Sequence, residues 1–223
     1  EPVVIRSGLD LRFFQEMTPG EERVLKRFGI DKKFILFLGT IEPSKNITRL
    51  LQAFAKFKRS RLAKWNKEGR PKKKFDYQLV LAGKKGWLAK EYLQIIKDFG
   101  LKKDVIFTGY VIGDELLPLF KKSEFFTLPS LYEGFGTTLL EAFATGTPAI
   151  VSDISSLREL AGDSAYYVNP IDIDDIAKAF GEFANDEKLR QKYSEKGLLR
   201  ARKYDWDKVA ESTLNLYKAV AGK

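Results

Sequence analysis

The sequence predicts an α/β fold in which a parallel sheet carries helices on both faces. Two observations support this prediction: apolar runs of strand length alternate with segments whose apolar residues recur at helical spacing, and glycine follows several of the runs. Strands that alternate with helices usually pair in parallel and are covered on both faces. With 223 residues and 44% hydrophobic content, the chain can bury a large core. No repeat or low-complexity linker interrupts the pattern, so we interpret residues 1–223 as a single domain.

The first element is predicted from capping chemistry. Thr18 is a good N-cap, Pro19 suits the first helical position, and Glu21 completes a capping box. The helix that starts here is expected to end near Phe28 and Gly29. Further along, the apolar patterns predict in chain order a strand at 33–40, a helix at 46–59, a strand at 77–83, a helix at 88–100 and a strand at 104–109.

The second half continues the alternation. Pro118 is expected to make a short helix at 113–123 irregular. The pattern then predicts a strand at 124–130, a helix from about Thr137, a strand at 147–153, a helix at 155–162 and a strand at 164–170. After Asp172 the pattern is helical to the end. In the last helix, from about 205 to 221, one apolar stripe either packs on its own domain or covers an absent partner domain.

The composition excludes several kinds of chemistry. The chain has no cysteine and no histidine, so it supplies no disulfide, no Cys-type zinc site, no Ser-His-Asp triad and no histidine base. No uncharged apolar run reaches the roughly 18 residues of a membrane span, and no signal peptide is visible. We expect a cytoplasmic protein, with peripheral attachment to a membrane surface as an open alternative.

One stretch carries the whole net charge of +9. Residues 56–74 contain ten Lys or Arg and one Glu, so the rest of the chain is neutral. The simplest interpretation is a solvated helix end and loop. A basic patch that faces anionic lipid or a polyanionic acceptor remains the alternative. Nucleic acid is disfavoured, because no aromatic-and-basic binding motif accompanies the stretch.

Ligands of open parallel sheets bind beyond the carboxyl ends of the strands, which here are loops that contain glycine. The first such loop begins with Gly39 and Thr40 and places Lys45 just before a helix start. A lysine beside the positive end of a helix is repelled unless an anion is bound, so we interpret Lys45 as part of an anion site. Gly83 closes the next strand and lets backbone approach a ligand.

The loop "EGFGTTLLEA" predicts a second part of the same site. Its backbone amides at the expected helix start are unpaired donors for a phosphate, and they belong to Gly136, Thr137 and Thr138. Glu133 precedes the helix, and Glu141 can lean back toward the same ligand. Two carboxylates beside a phosphate make sense if the ligand has a diphosphate in the middle and hydroxyl-rich groups at both ends. This combination indicates a nucleotide-sugar site.

Other phosphate chemistries are disfavoured. Neither a P-loop motif nor a dinucleotide-binding glycine motif after a strand is present. No carboxylate cluster lies where a Mg²⁺ site would need it, and the acidic run 172–175 is better explained by helix capping. We therefore predict no metal site and no cofactor, with the nucleotide-diphosphate sugar, GDP- or UDP-linked, as the donor substrate.

Four segments carry a family resemblance: "FLGTIEPSKN", "LVLAGKKGW", "VIFTGYV" and "PSLYEGFGTTLLEAFATGTPAIVSD". They resemble the C-terminal, donor-binding domain of retaining GT-B glycosyltransferases of family four, nearest to the mannosyltransferase-like branch. The resemblance runs from about Val3 to Lys218. It implies a Rossmann-like sheet, the C-terminal half of a GT-B fold, and a metal-independent reaction.

The resemblance also implies roles for individual residues. Glu133 would contact the transferred sugar, Glu141 the ribose, and Lys45 the diphosphate, with Lys45 and Glu133 as the catalytic pair. The backbone around Tyr110 and Val111 would hold the base. The full set of expected substrate-binding residues is Gly39, Thr40, Lys45, Gly83, Tyr110, Val111, Glu133, Gly134, Phe135, Gly136, Thr137, Thr138 and Glu141.

Two departures from the family pattern are evident. Ser44 occupies a position where many relatives have an arginine beside the lysine. The second Rossmann-like domain, which binds the acceptor in such enzymes, lies outside this chain, and the last helix resembles the one that crosses back to it.

Three functional hypotheses follow from the sequence. The first is the donor-binding domain of a glycosyltransferase that moves a hexose, with mannose as the candidate, to an unidentified acceptor; alone, it is expected to transfer little. The second is a non-catalytic nucleotide-sugar-binding module completed by a separate chain. The third is another GT-B enzyme, such as an epimerase or phosphorylase, which the two glutamates of the loop disfavour.

Overall fold

The computed structural model describes residues 3–18, 20–21, 23–70, 74–84, 86 and 89–222. Its sheet is formed by β1 (Lys33–Leu38), β2 (Tyr77–Ala82), β3 (Val105–Gly109), β4 (Phe125–Leu128), β5 (Ala149–Ser152) and β6 (Tyr166–Val168). The helices are α1 (Arg23–Arg27), α2 (Ile47–Lys67), α3 (Ala89–Asp98), α4 (Leu116–Lys122), α5 (Thr137–Ala144), α6 (Ser155–Ala161), α7 (Ile173–Asn185), α8 (Glu187–Ala201) and α9 (Trp206–Ala221). Short 3₁₀ turns occur at Leu11–Phe14, Pro43–Lys45 and Gly113–Glu115.

The six strands form one sheet in the order β3-β2-β1-β4-β5-β6, and every neighbouring pair is parallel. The predicted α/β class with a parallel sheet is therefore confirmed. The chain runs outward from β1 to β3, then returns to the other side of β1 and continues to β6. The order thus reverses between β1 and β4, and such a switch point leaves a crevice at the carboxyl ends of the two strands.

The core is continuous across the sheet. All six residues of β2 and all four residues of β4 and of β5 are buried, as expected for strands covered on both faces. An aromatic cluster of Phe57, Phe75, Tyr77 and Phe180 packs largely edge to face between α2, the sheet and α7. These contacts fix α2 and α7 side by side.

Helix α2 ends eight residues later than predicted and includes much of the basic stretch. Its apolar spacing continues through Leu62, which packs against the core, and Trp65, which is buried. The predicted helix at 113–123 is irregular, because it divides into a 3₁₀ turn at Gly113–Glu115 and α4 at Leu116–Lys122. Pro118 is the third residue of α4, where a missing N–H costs no helical hydrogen bond.

One of the two bonds of the predicted capping box is formed, and its helix starts later than predicted. The Thr18 N–H donates to the Glu21 carboxylate over 2.9 Å, yet α1 begins only at Arg23. The predicted helix start at Pro19 lies outside the described residues. The end of α1 at Arg27 agrees with the predicted end to within two residues.

The helical C-terminal part is divided into three helices, α7, α8 and α9. Each is preceded by an aspartate whose carboxylate accepts from the first turn: Asp172, Asp186 and Asp205. Helix α9 has no buried residue, and its stripe is largely uncovered, with Trp206, Tyr217 and Val220 all more than half exposed. Among the described residues, no helix combines the length and the apolar character needed to cross a membrane.

Candidate functional site

Three glycines bring the loops after β1, β2 and β3 into contact. The Gly39 N–H donates to the Ala82 carbonyl over 2.9 Å, and the Gly83 N–H donates to the Gly109 carbonyl over 2.8 Å. A Cβ atom on Gly83 would lie 1.9 Å from the Gly39 carbonyl oxygen, and the φ of Gly83 is +145°. Only glycine fits at position 83, because the Gly39 backbone occupies the space that a side chain would need.

The loop after β1 is anchored by a residue that sequence reasoning missed. Asn46 adopts the left-handed conformation with a φ of +60° and is 3% exposed. Its side-chain amide donates to the carbonyls of Pro129 and Pro170, over 2.9 and 2.6 Å. The first bond ties the start of α2 to the loop after β4, and the second ties it to the segment after β6. The only local signal was that asparagine tolerates this conformation better than most residues.

A further hydrogen bond joins the loop after β1 to the loop after β4. The Leu131 N–H donates to the Ser44 carbonyl over 2.8 Å, and the Ser44 hydroxyl donates to the Glu42 carboxylate over 2.6 Å. Ser44 therefore supports the loop through both its carbonyl and its hydroxyl.

Lys45 and Glu133 meet at the switch point. The Lys45 Nζ lies 2.8 Å from the Glu133 Oε1, and the Ser130 hydroxyl donates to the same oxygen over 2.7 Å. The two charged side chains are only 18% and 10% exposed. The structure thus brings together a cation after β1 and a carboxylate after β4 that lie 88 residues apart in the chain.

The start of α5 lies in the same loop as Glu133. Gly136 is buried in the left-handed conformation, and a Cβ there would clash with Leu157. Among the described residues, no hydrogen bond is found for the backbone amides of Gly136, Thr137 and Thr138; the Leu139 amide is the first that is paired. The predicted free donors of the helix start are therefore present.

The two residues before Gly136 differ in their surroundings. Gly134 is exposed, and a Cβ atom on it would meet nothing within 4 Å. The Phe135 ring packs edge to face on Tyr204, with the ring centroids 6.1 Å apart. Phe135 therefore anchors the loop to the domain.

Glu141 occupies a separate part of the site. Burial raises the pKa of its carboxyl to about 7, with Arg12 lowering it and Asp10 raising it. No hydrogen bond or ion pair of this carboxylate is found within the described part of the chain, and none joins it to Lys45 or Glu133. Asp10 caps the N-terminal 3₁₀ turn that packs on α5, and Arg12 lies within this turn. Sequence reasoning did not predict this neighbourhood.

The remaining predicted residues lie at the same edge of the sheet. Val111 is buried, whereas Tyr110 is 64% exposed. The Lys84 Nζ lies 4.8 Å from the centroid of the Tyr110 ring. Thr40 is exposed beside Gly39. In the described parts of the chain, no group of three or more acidic side chains is arranged to hold a metal ion.

Comparison with known proteins gives a consistent picture. The model of the family described as "Glycosyl transferases group 1" matches residues 21–200. The chain is 31% identical to the O-antigen chain mannosyltransferase B of Escherichia coli, over 84% of this chain and 46% of that protein. It is 32% identical to an uncharacterized glycosyltransferase of Methanocaldococcus jannaschii, over 96% of this chain and 53% of that protein.

A solved structure shows the same fold. The Anabaena protein HepE, in complex with UDP and glucose, matches 97% of this chain with a TM-score of 0.80 at 16% identity, and the match covers 57% of its own chain. The α/β fold of this chain is thus that of a GT-B glycosyltransferase domain, and it matches about half of HepE. The chain belongs to the glycosyl transferases group 1 family. It spans about half the length of the curated relatives described here, at 46% and 53%.

Proposed function

We propose that this chain is the donor-binding domain of a retaining glycosyltransferase. In this proposal the substrate is a nucleotide-diphosphate sugar, and the group transferred is a hexose, with mannose as the candidate because mannosyltransferases are among the relatives. The observation that carries the proposal is the meeting of Lys45, Glu133 and the free amides of α5 at the β1–β4 switch point.

The charges at this point suit a diphosphate. Lys45 can turn from Glu133 toward a phosphate oxygen, because Glu133 keeps the Ser130 hydroxyl as a donor. The positive end of α5 adds a second, fixed source of favourable potential. Glu133 is then free to accept from the hydroxyls of the sugar that follows the diphosphate. The ion pair thus holds both side chains ready before the donor binds.

The same groups would serve the transfer step. As the bond between sugar and diphosphate breaks, negative charge grows on the leaving phosphate, and Lys45 with the amides of Thr137 and Thr138 would stabilise it. Fixed donors aimed at developing charge supply a large part of catalysis in many enzymes. The chain has no histidine, so in this scheme the leaving phosphate itself takes the proton of the acceptor.

The proposal requires a second domain for the acceptor. Helix α9 presents Trp206, Tyr217 and Val220 to solvent, and an uncovered apolar stripe of this kind suits a partner surface. We propose that α9 packs on the acceptor-binding domain, so that the transfer site is the cleft between the two. The isolated chain would then bind donor but transfer little, because its cleft is open to water.

Isothermal titration calorimetry of this chain tests the proposal. The ligands are GDP-mannose, UDP-glucose, UDP-N-acetylglucosamine and the free diphosphates GDP and UDP. Saturable binding of the ligands with one base, and weak or no binding of those with the other, is the expected result. If none of the five binds at millimolar concentration, this chain does not capture the donor and the proposal is overturned.

A further inference from the structure

A cleft between α2 and α7 lies far from the switch point. Its volume is about 490 Å³. Trp65, one of its residues, follows Ile47 by 18 positions, so it lies roughly 27 Å along α2 from the end that meets the donor site. The cleft is lined by Lys56, Phe57, Ser60, Arg61, Lys64, Trp65, Glu68, Arg70, Asp174, Ala177, Lys178, Gly181 and Asn185.

Positive charge exceeds negative charge in this lining, with five Lys or Arg against two acidic residues. The excess is one when Asp76 and Glu182, the partners of Arg61 and Lys178, are counted as well. The Lys64 Nζ is 3.9 Å from the Glu68 carboxylate, and the Lys178 Nζ is 3.8 Å from that of Glu182. Both distances are longer than a hydrogen bond, so the N–H groups of the two ammonium groups can still donate to a ligand. They are also 61% and 71% exposed, which lets them turn toward one.

The inner wall of the cleft is rigid. The Arg61 guanidinium is held by the Asp76 carboxylate over 2.8 Å and by Asn185 over 3.0 Å. It also lies 4.9 Å from the Trp65 ring and 5.1 Å from the Tyr77 ring. The wall is therefore aromatic and polar at once, and its shape is fixed before a ligand arrives.

Gly181 keeps the opposite wall open. It lies inside α7, where glycine is less favourable than alanine. A Cβ atom on Gly181 would meet nothing within 4 Å, so the packing of this chain gives no reason for glycine. By contrast, Gly197 in α8 is required, because a Cβ there would lie 2.7 Å from the Phe143 ring. Gly181 lines the cleft, so a larger side chain at this position would take up space in it.

The rest of the basic stretch does not form a uniform charged surface. Lys58 pairs with Asp104 over 2.7 Å, and the Arg59 guanidinium lies over the Phe99 ring on another face of α2. Lys56 pairs with Asp174 at the edge of the cleft. Lys64 and Lys178, both in the described lining of the cleft, keep exposed ammonium groups with no acidic partner within 3.5 Å.

We propose that the α2–α7 cleft binds the phosphate group of a phosphorylated ligand, at a site separate from the donor site. The volume suits a small molecule, the excess of cations suits an anion, and the aromatic wall suits the body to which the phosphate is attached. The phosphate can belong to a soluble compound or to a lipid headgroup, and the experiment separates these sources.

The test follows the indole resonance of Trp65 by NMR in a Lys45→Ala background, which removes the predicted anion site at the switch point. The probes are inorganic phosphate, glucose 6-phosphate, and vesicles of equal parts phosphatidylcholine and phosphatidylglycerol, whose binding is measured by sedimentation. The cleft variants are Lys64→Gln/Lys178→Gln and Gly181→Leu. The matched control is Arg59→Gln/Lys67→Gln. It also removes two positive charges, both from residues of α2 that do not line the cleft.

A saturable shift with a soluble phosphate, weakened at least about tenfold in both cleft variants and unchanged in the control, supports a soluble ligand. Vesicle binding that the cleft variants weaken more than the control, without a response to soluble phosphate, supports a lipid headgroup. No saturable response to any probe, or equal weakening in cleft and control variants, overturns the proposal.

Discussion

Replacing Lys45 by alanine is expected to weaken binding of the nucleotide sugar about 100-fold, or about 3 kcal/mol. Two effects add up. The diphosphate loses a charge-assisted hydrogen bond, which contributes roughly 1.5–3 kcal/mol. In addition, Glu133 is only 10% exposed and loses its cation, so its negative charge would repel the ligand. Calorimetry with the donor identified for the wild-type chain measures the loss.

Two further variants separate these effects. In Lys45→Ala/Glu133→Gln the repelling charge is gone, so part of the lost affinity is expected to return. Lys33→Ala is the matched control, because Lys33 pairs with Glu124 over 3.1 Å at the opposite end of β1. It should bind donor like the wild type. Wild-type affinity in the Lys45→Ala variant would contradict the assignment of the anion site.

Replacing Glu141 by glutamine is expected to stabilise the chain and to weaken donor binding. Burial raises the pKa of Glu141 to about 7 from an ordinary value of 4.5. The protonated form is therefore favoured by folding, and stability is lost as the pH rises from about 4.5 to about 7. At pH 8 the ionised carboxylate costs about 3 kcal/mol, and glutamine removes this cost. Urea unfolding at pH 8 should show the gain, which shrinks as the pH is lowered toward 4.5.

The affinity for the nucleotide sugar is expected to change with pH in the opposite direction to the stability. In the proposed complex, the ribose hydroxyls donate hydrogen bonds to the ionised Glu141 carboxylate. Protonation of Glu141 therefore competes with binding of the nucleotide sugar. Wild-type affinity should fall by up to about tenfold per pH unit below 7, whereas Glu141→Gln should bind weakly and with little dependence on pH. A nucleotide sugar is the right probe, since a terminal phosphate with a pKa near 6 would itself titrate in this range. A variant that is more stable and binds donor as well as the wild type would exclude Glu141 from the site.

Local patterns predicted most of the fold because each strand and helix is marked by residues near it in the chain. The six strands lie where apolar runs predicted them, and α5 begins at Thr137 because Gly136 allows the left-handed turn before it. The same loop patterns placed Lys45 and Glu133 after neighbouring strands, and the carboxyl ends of those strands meet at the switch point.

The features that the sequence did not reveal depend on contacts between distant segments. The Asn46 amide reaches carbonyls that lie 83 and 124 residues away, and no local pattern indicates such partners. Arg12 and Asp10 influence Glu141 only because the N-terminal turn packs on α5. The basic stretch looked uniform in sequence, yet several of its cations pair with acidic residues brought in by folding, such as Asp104 and Asp174.

A crystal structure of this chain with the bound nucleotide sugar tests most directly whether the diphosphate binds at the switch point. We predict the diphosphate between the Lys45 ammonium and the amides of Gly136 to Thr138, with the ribose hydroxyls on Glu141 and the sugar on Glu133. Hydrogen-bond distances of about 2.7–3.2 Å to these groups are the expected result. A diphosphate bound elsewhere, with the Lys45–Glu133 ion pair unchanged, would contradict the account.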